Sequence, residues 1–248
     1  MEKRETIGIL GGMGPLASAE FVKTIYEYGC GEREQDLPIV LMDSDPTFPD
    51  RTQSLLAGDY ELLLSRLNES LNRLREFGAS RIVICCVTIH YLLPKLMPEL
   101  RRSVISLLDV IFALVAKDPK QHLMVCTTGS RRLQIYEQHE SWRLVKDRII
   151  MPDETDQTLI HDAIYRIKGN NDISQMILLL ESLLSKYDTD SLIAGCTEVH
   201  LLAKHLASSG SERGISCLDP LLAIAKDLAP GKFGNGRRGC SMESRQEA

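Results

Sequence analysis

Excess positive charge, a long apolar run, an export signal and a paired set of cysteines are all missing from this chain, and each absence removes a class of function. Lysine and arginine number 29 against 34 aspartates and glutamates, a net charge of −5. That balance gives no general attraction to nucleic acid or to acidic membranes. No apolar run approaches the roughly 20 residues of a membrane span. The start, Met1-Glu-Lys-Arg-Glu5, lacks the apolar core of a signal peptide. A cytoplasmic protein, with neither nucleic acid nor membrane as partner, is the expectation.

The seven cysteines (30, 85, 86, 126, 196, 217 and 240) are an odd number in a large chain without an export signal. Reduced thiols are therefore expected rather than disulfides. Cys85, Cys126 and Cys217 lie in or beside apolar runs and read as packing residues. With 44% hydrophobic and 25% charged residues, the composition is that of an ordinary globular protein. The 248 residues suffice for one large or two modest domains.

Strand and helix patterns alternate along the chain. Thr6 to Leu10 is a short apolar strand running into Gly11-Gly-Met-Gly-Pro15, and Leu16 to Tyr28 continues with helical spacing. A strand from Leu37 to Met42 ends in a loop rich in proline and aspartate around Pro49-Asp-Arg-Thr52. Leu63, Leu67, Leu71 and Leu74 stripe one face of a helix from Tyr60 to Phe77. Gly78 closes that helix before the strand Arg81-Ile-Val-Ile84 delivers Cys86. Such alternation implies parallel sheets in an α/β fold.

The second part of the chain repeats this order. His122 to Cys126 runs into Thr127-Thr-Gly-Ser130, Pro152-Asp-Glu-Thr155 echoes Pro49 to Thr52, and Ser174 to Lys186 is a second leucine-striped helix. The two thiol motifs match as well: Cys86-Val-Thr-Ile-His90 and Cys196-Thr-Glu-Val-His200. Asp109 and Asp219 each follow their cysteine by 23 residues (109 − 86 and 219 − 196). Matches that recur in one order point to an internal duplication. The expected architecture is two pseudo-symmetric three-layer α/β domains with parallel sheets and the active site in the cleft between them. Residues 1–115 plus 209–230 are assigned to the first half and 116–208 to the second. Residues 231–248, glycine-rich and without apolar periodicity, read as a disordered tail.

Two thiols at matching strand ends suit inversion of a stereocentre, where one group removes a proton from one face and another returns one to the opposite face. Thiolate is a base and thiol an acid, each tunable toward neutrality. The competing reading makes both cysteines buried packing residues. His90 and His200, one turn beyond, either poise the thiols or pack inside the fold. A zinc site from the two Cys-x3-His pairs is disfavoured, because structural zinc uses closely spaced ligands in small modules. The glycines after the first strand match a dinucleotide fingerprint only weakly, lacking the acidic residue that would bind ribose. They suit a carboxylate-binding loop better. Arg51, after its proline-rich loop, is a candidate carboxylate ligand, while Lys168 and Arg51 alike are also read as ordinary surface cations.

Ile7-Gly-Ile-Leu-Gly-Gly-Met-Gly-Pro15, Pro49 to Thr52, Cys86 to His90, Thr127-Thr-Gly129, Pro152 to Glu154, Ile167-Lys168 and Gly195-Cys-Thr-Glu198 together resemble the aspartate/glutamate racemase family. Its pyridoxal-independent aspartate racemases are the most similar members. The resemblance implies a two-domain fold, often dimeric, that needs no metal or cofactor. It matches Cys86 and Cys196 to the catalytic pair, and Arg51 and Lys168 to the cations holding the substrate's side-chain carboxylate. Thr88, Thr128, Thr197 and the loop at Gly12 and Met13 are expected to bind the other carboxylate, with His90, Glu198 and His200 as proton-poising groups. Val87 stands where the family usually has asparagine, which removes one hydrogen-bonding group. The function expected is a cofactor-independent aspartate racemase acting as a homodimer. The alternatives are a related diacid decarboxylase or isomerase, and a non-catalytic carboxylate-binding protein.

Overall fold

In a computed structural model of the protein, the described residues are 5–29, 33–169, 173–208 and 214–228. The expected tail 231–248, Cys30 and Cys240 lie outside them. The first half runs β1 (Thr6–Gly11), α1 (Pro15–Tyr28), β2 (Ile39–Ser44), α2 (Arg51–Leu56), α3 (Glu61–Glu76), β3 (Arg81–Ile84), α4 (Pro98–Ser103), β4 (Val104–Ile105) and α5 (Leu107–Lys117). The second runs β5 (His122–Val125), α6 (Thr128–Arg132), α7 (Trp142–Val145), β6 (Ile149–Ile150), α8 (Glu154–Lys168), α9 (Ser174–Lys186), β7 (Ser191–Ala194), α10 (Glu198–Ser208), β8 (Ser216–Leu218) and α11 (Pro220–Asp227).

Two four-stranded sheets result, ordered β2-β1-β3-β4 and β6-β5-β7-β8, with every neighbouring pair parallel. The same order occurs twice, as a duplication requires. Because side chains alternate across a strand, each sheet feeds two cores. Ile82 and Ile84 join the α3 leucines Leu63, Leu67, Leu71 and Leu74 on one face of the first sheet. Leu192 and Ala194 join Met176, Leu180 and Leu183 of α9 on one face of the second. The opposite faces, through Ile7, Ile9 and Val83 and through Met124 and Ile193, meet in one central core with α1, α5 and α11. Val87, 1% exposed, belongs to that shared core.

Capping shows which repeats are structurally equivalent. Asp50 caps α2 by accepting from Gln53 N at 2.8 Å, and Asp153 caps α8 by accepting from Asp156 N at 2.9 Å. The two Pro-Asp motifs therefore occupy matching positions. The equal 23-residue spacing of Asp109 and Asp219 does not mark such a pair. Asp219 caps α11, whereas α5 is capped by Ser106 and Asp109 lies in its first turn. Equal counts from the cysteines conceal an offset in where the following helix starts.

Of residues 209–230, grouped with the first half from sequence, the described part comprises β8 and α11. Strand β8 hydrogen-bonds to β7 in the second sheet, while α11 packs against α1 and α5 of the first half. The helices after the two thiols also differ. Thr88–Lys95 is a 3-10 helix, and α10 is an α-helix. Pro94 sits inside the former, where it has no N–H to give and its ring would strike the carbonyl four residues back in an α-helix.

Candidate active site

Cys86 follows β3 and Cys196 follows β7, the third strand in sequence of each half, and each thiol is 5% exposed. The two sulfurs lie within electrostatic reach of each other and of Lys168. Each motif threonine crosses to the other half. Thr88 Oγ1 lies 3.1 Å from Thr127 Oγ1 and 3.0 Å from Ser130 Oγ at the start of α6. Thr197 Oγ1 donates to the Cys85 carbonyl at 3.2 Å. These hydroxyls fix the two strand ends against each other.

The surroundings of the thiols are unequal. Cys196 Sγ donates to Glu198 Oε2 at 2.8 Å, and burial followed by the Glu198 charge pushes its pKa well up. Cys86 instead faces the Arg51 guanidinium, whose positive charge Cys86 and Asp50 support against the cost of burial. Arg51, at the first position of α2, donates through Nη1 to the Phe48 and Pro49 carbonyls and through Nη2 to Met13 O at 3.1 Å. Its buried Nε has no hydrogen-bond partner among the described residues. Nε–H and one Nη2–H lie on the same side of a guanidinium, the geometry that grips a carboxylate with two parallel bonds. Burial acts against the Lys168 ammonium, yet Glu198, Cys196 and Cys86 outweigh it and hold its pKa above the lysine range.

The histidines are engaged elsewhere. His90 Nε2 accepts from Leu107 N at 3.0 Å, which leaves Nδ1–H to donate to the Cys86 carbonyl at 2.8 Å. Burial lowers its pKa to about 4, so it is neutral and grips the backbone of Cys86 instead of its sulfur. His200, fully buried, pairs through Nδ1 with Asp219 Oδ2 at 2.6 Å and through Nε2 with Thr24 Oγ1 at 3.0 Å. It joins α10 to α1 and α11. In the glycine loop, the Gly12 amide donates to Ser18 Oγ and the Met13 side chain is buried in the first-half core. The Thr128 amide donates to His161 Nδ1 at 3.2 Å.

Three residues not picked out from sequence complete the surroundings. Tyr165 donates to Asp50 Oδ2 at 2.7 Å, with Lys168 Nζ 4.8 Å from the centre of its ring and His161 packed on it. His161, Tyr165 and Lys168 are spaced so as to share one face of α8, a signal available in the sequence once Lys168 is singled out. Tyr136, fully buried, donates to the Gly195 carbonyl at 2.7 Å and so fixes the turn into Cys196. No group of three or more His, Cys, Asp or Glu comes together with metal-binding geometry among the described residues.

Known proteins can now be set beside this geometry. The Asp/Glu/hydantoin racemase family profile matches residues 10–228. The broad specificity amino-acid racemase RacX of Bacillus subtilis (strain 168) is 22% identical over 232 residues, covering 89% of this chain and 95% of that protein. The aspartate racemase of Picrophilus torridus superposes with a TM-score of 0.76 at 23% identity, covering 90% of this chain and 92% of its own. Glutamate racemase isoform RacE1 of Bacillus anthracis gives 0.58 at 17% identity, with 92% and 81% covered. At these identities the structural likeness establishes the fold. Within that fold this chain places a thiol after the equivalent strand of each sheet.

Proposed function

As the chain belongs to the Asp/Glu/hydantoin racemase family, we propose that it inverts the α-carbon of a small amino acid, with aspartate the preferred substrate and no cofactor required. The observation that carries this reading is the pair of thiols delivered by equivalent strands into unequal electrostatic settings. Inversion needs one group that takes a proton and one that gives it. Cys196, with its proton directed at Glu198 and its acidity suppressed, enters the cycle as the donor. Cys86, beside the Arg51 guanidinium, accepts the Cα proton from the opposite face. In the reverse direction the roles exchange.

The open side of the Arg51 fork and the Lys168 ammonium take the side-chain carboxylate. Both cations also lower the energy of the carbanion that forms when the Cα proton leaves, a burden no pyridoxal shares here. Cation density on one wall favours a diacid over a neutral amino acid, which supports aspartate. Retention of two thiols counts against a diacid decarboxylase working through one. We expect the active form to be a cytoplasmic homodimer, to be checked by light scattering of purified protein.

Cys86→Ser and Cys196→Ser test the two-thiol mechanism. Serine is nearly isosteric but far too weak an acid to serve as a base at neutral pH. Each variant should lose racemisation. Each should retain at most exchange of the Cα hydrogen of one enantiomer in deuterated buffer, and the two variants should favour opposite enantiomers. Racemisation at the parental rate by either variant refutes the mechanism.

A further inference from the structure

Two buried polar atoms of the site lack a hydrogen-bond partner among the described residues, and they are chemically opposite: the donor Arg51 Nε and the acceptor Glu198 Oε1. The donor is accounted for by a substrate carboxylate. The acceptor is not, because leaving a carboxylate oxygen buried and unpaired is costly. Glu198 is 2% exposed, and its other oxygen already accepts from the Cys196 thiol at 2.8 Å. Oε1 lies against Gly14 in the loop after β1, where a Cβ would come within 2.0 Å of it. Glycine at that position is thus what lets the carboxylate reach the site at all.

We infer that Glu198 Oε1 is the seat of the substrate's α-ammonium group, so that the site requires a ligand carrying a cation beside its carboxylates. The inference rests on the racemase reading and adds to it a requirement for the amine. A dicarboxylate without an amine satisfies Arg51 and Lys168 but leaves Glu198 Oε1 unpaired. An α-amino acid satisfies both atoms, and seating its nitrogen next to Cys196 fixes the Cα–H bond relative to that sulfur. Glu198 is therefore a selectivity residue, setting amino acids apart from hydroxy acids and simple diacids of the same length.

Glu198→Gln is the discriminating variant. It retains an amide oxygen to accept from Cys196 but presents an NH₂ group where Oε1 stood, which repels an ammonium. The amino acid whose Cα hydrogen wild-type protein exchanges fastest is titrated calorimetrically against wild type and variant, alongside the same acid lacking its amine (succinate, if the substrate is aspartate). Losing one hydrogen bond to a charged group should weaken the amino acid on the order of ten- to a hundredfold. The amine-free acid should bind the variant as well as wild type, which also reports that the variant is folded. Equal weakening of both ligands, or of neither, overturns the inference and leaves the racemase reading standing. If wild-type protein exchanges no amino acid, both fall.

Discussion

Tyr165 of the second half donates its hydroxyl to the Asp50 carboxylate of the first at 2.7 Å, tying α8 to the cap of α2 beside both Arg51 and Lys168. Burial raises the Tyr165 pKa to about 12, which keeps the phenol a donor at neutral pH. Thr52 and Gly129 touch along the same seam, so closely that a Cβ on Gly129 would lie 2.6 Å from Thr52 Oγ1. Both thiols are 5% exposed, and parting of this seam is the route of substrate entry that Tyr165→Phe tests.

Tyr165→Phe should loosen the seam without disturbing the cap, since Asp50 keeps its bond from Gln53 N. We expect a stability loss of about 1 kcal/mol and a KM raised several-fold. The turnover number should stay level or rise, as opening the seam becomes easier. Steady-state kinetics with urea unfolding check this; a fall in kcat with KM unchanged would instead place Tyr165 in the chemistry.

Arg51→Lys preserves charge but loses the fork and the contacts to the Phe48, Pro49 and Met13 carbonyls. A lysine cannot span three carbonyls and a substrate carboxylate together. Activity with aspartate should fall at least a hundredfold in kcat/KM. Unchanged kinetics would remove Arg51 from substrate binding.

Acid sensitivity follows from His90. Its pKa is about 4 in the folded protein against an ordinary 6.5, so between those values the unfolded chain binds more protons. Stability from this group is complete above about pH 6.5 and is lost as pH falls toward 4, to the extent of ~3 kcal/mol. His122 and His161, also lowered by burial, act in the same direction. Urea midpoints measured from pH 7 to pH 4.5 should drop for wild type. His90→Gln should start lower and fall less steeply, and parallel slopes for the two proteins would contradict the assignment.

Much of the fold was legible because the signals were periodic and local. The leucine stripe of α3, the Ser174–Lys186 helix and the strands β1, β3 and β5 form where they were read to within a residue, while the strand read from Leu37 to Met42 runs from Ile39 to Ser44. The duplication was legible too, since a repeated motif reports a repeated unit. What spacing could not reveal is which partner a side chain finds. His90 and His200 have the same offset from their cysteines, yet one holds two backbone groups and the other an aspartate and a threonine. Asp50 and Tyr165 were passed over because their contact joins the two halves across 115 residues of sequence, and His161 because its partner, the Thr128 amide, lies on a separate element 33 residues away. Val87 reads as a missing ligand from sequence, whereas the structure packs it into the shared core.

The placement of α11 has a consequence for how the protein is made. Leu221, Ile224 and Ala225 fill the core common to both sheets, alongside Ile7, Ile9 and Ile193. During translation these are among the last described residues to leave the ribosome. Until they emerge, Phe21 and Ile25 of α1 and Phe112 of α5 lack part of the surface that covers them. Domains usually fold N-terminal first as synthesis proceeds. Here the core that α1 and α5 share with the second sheet is complete only once α11 docks.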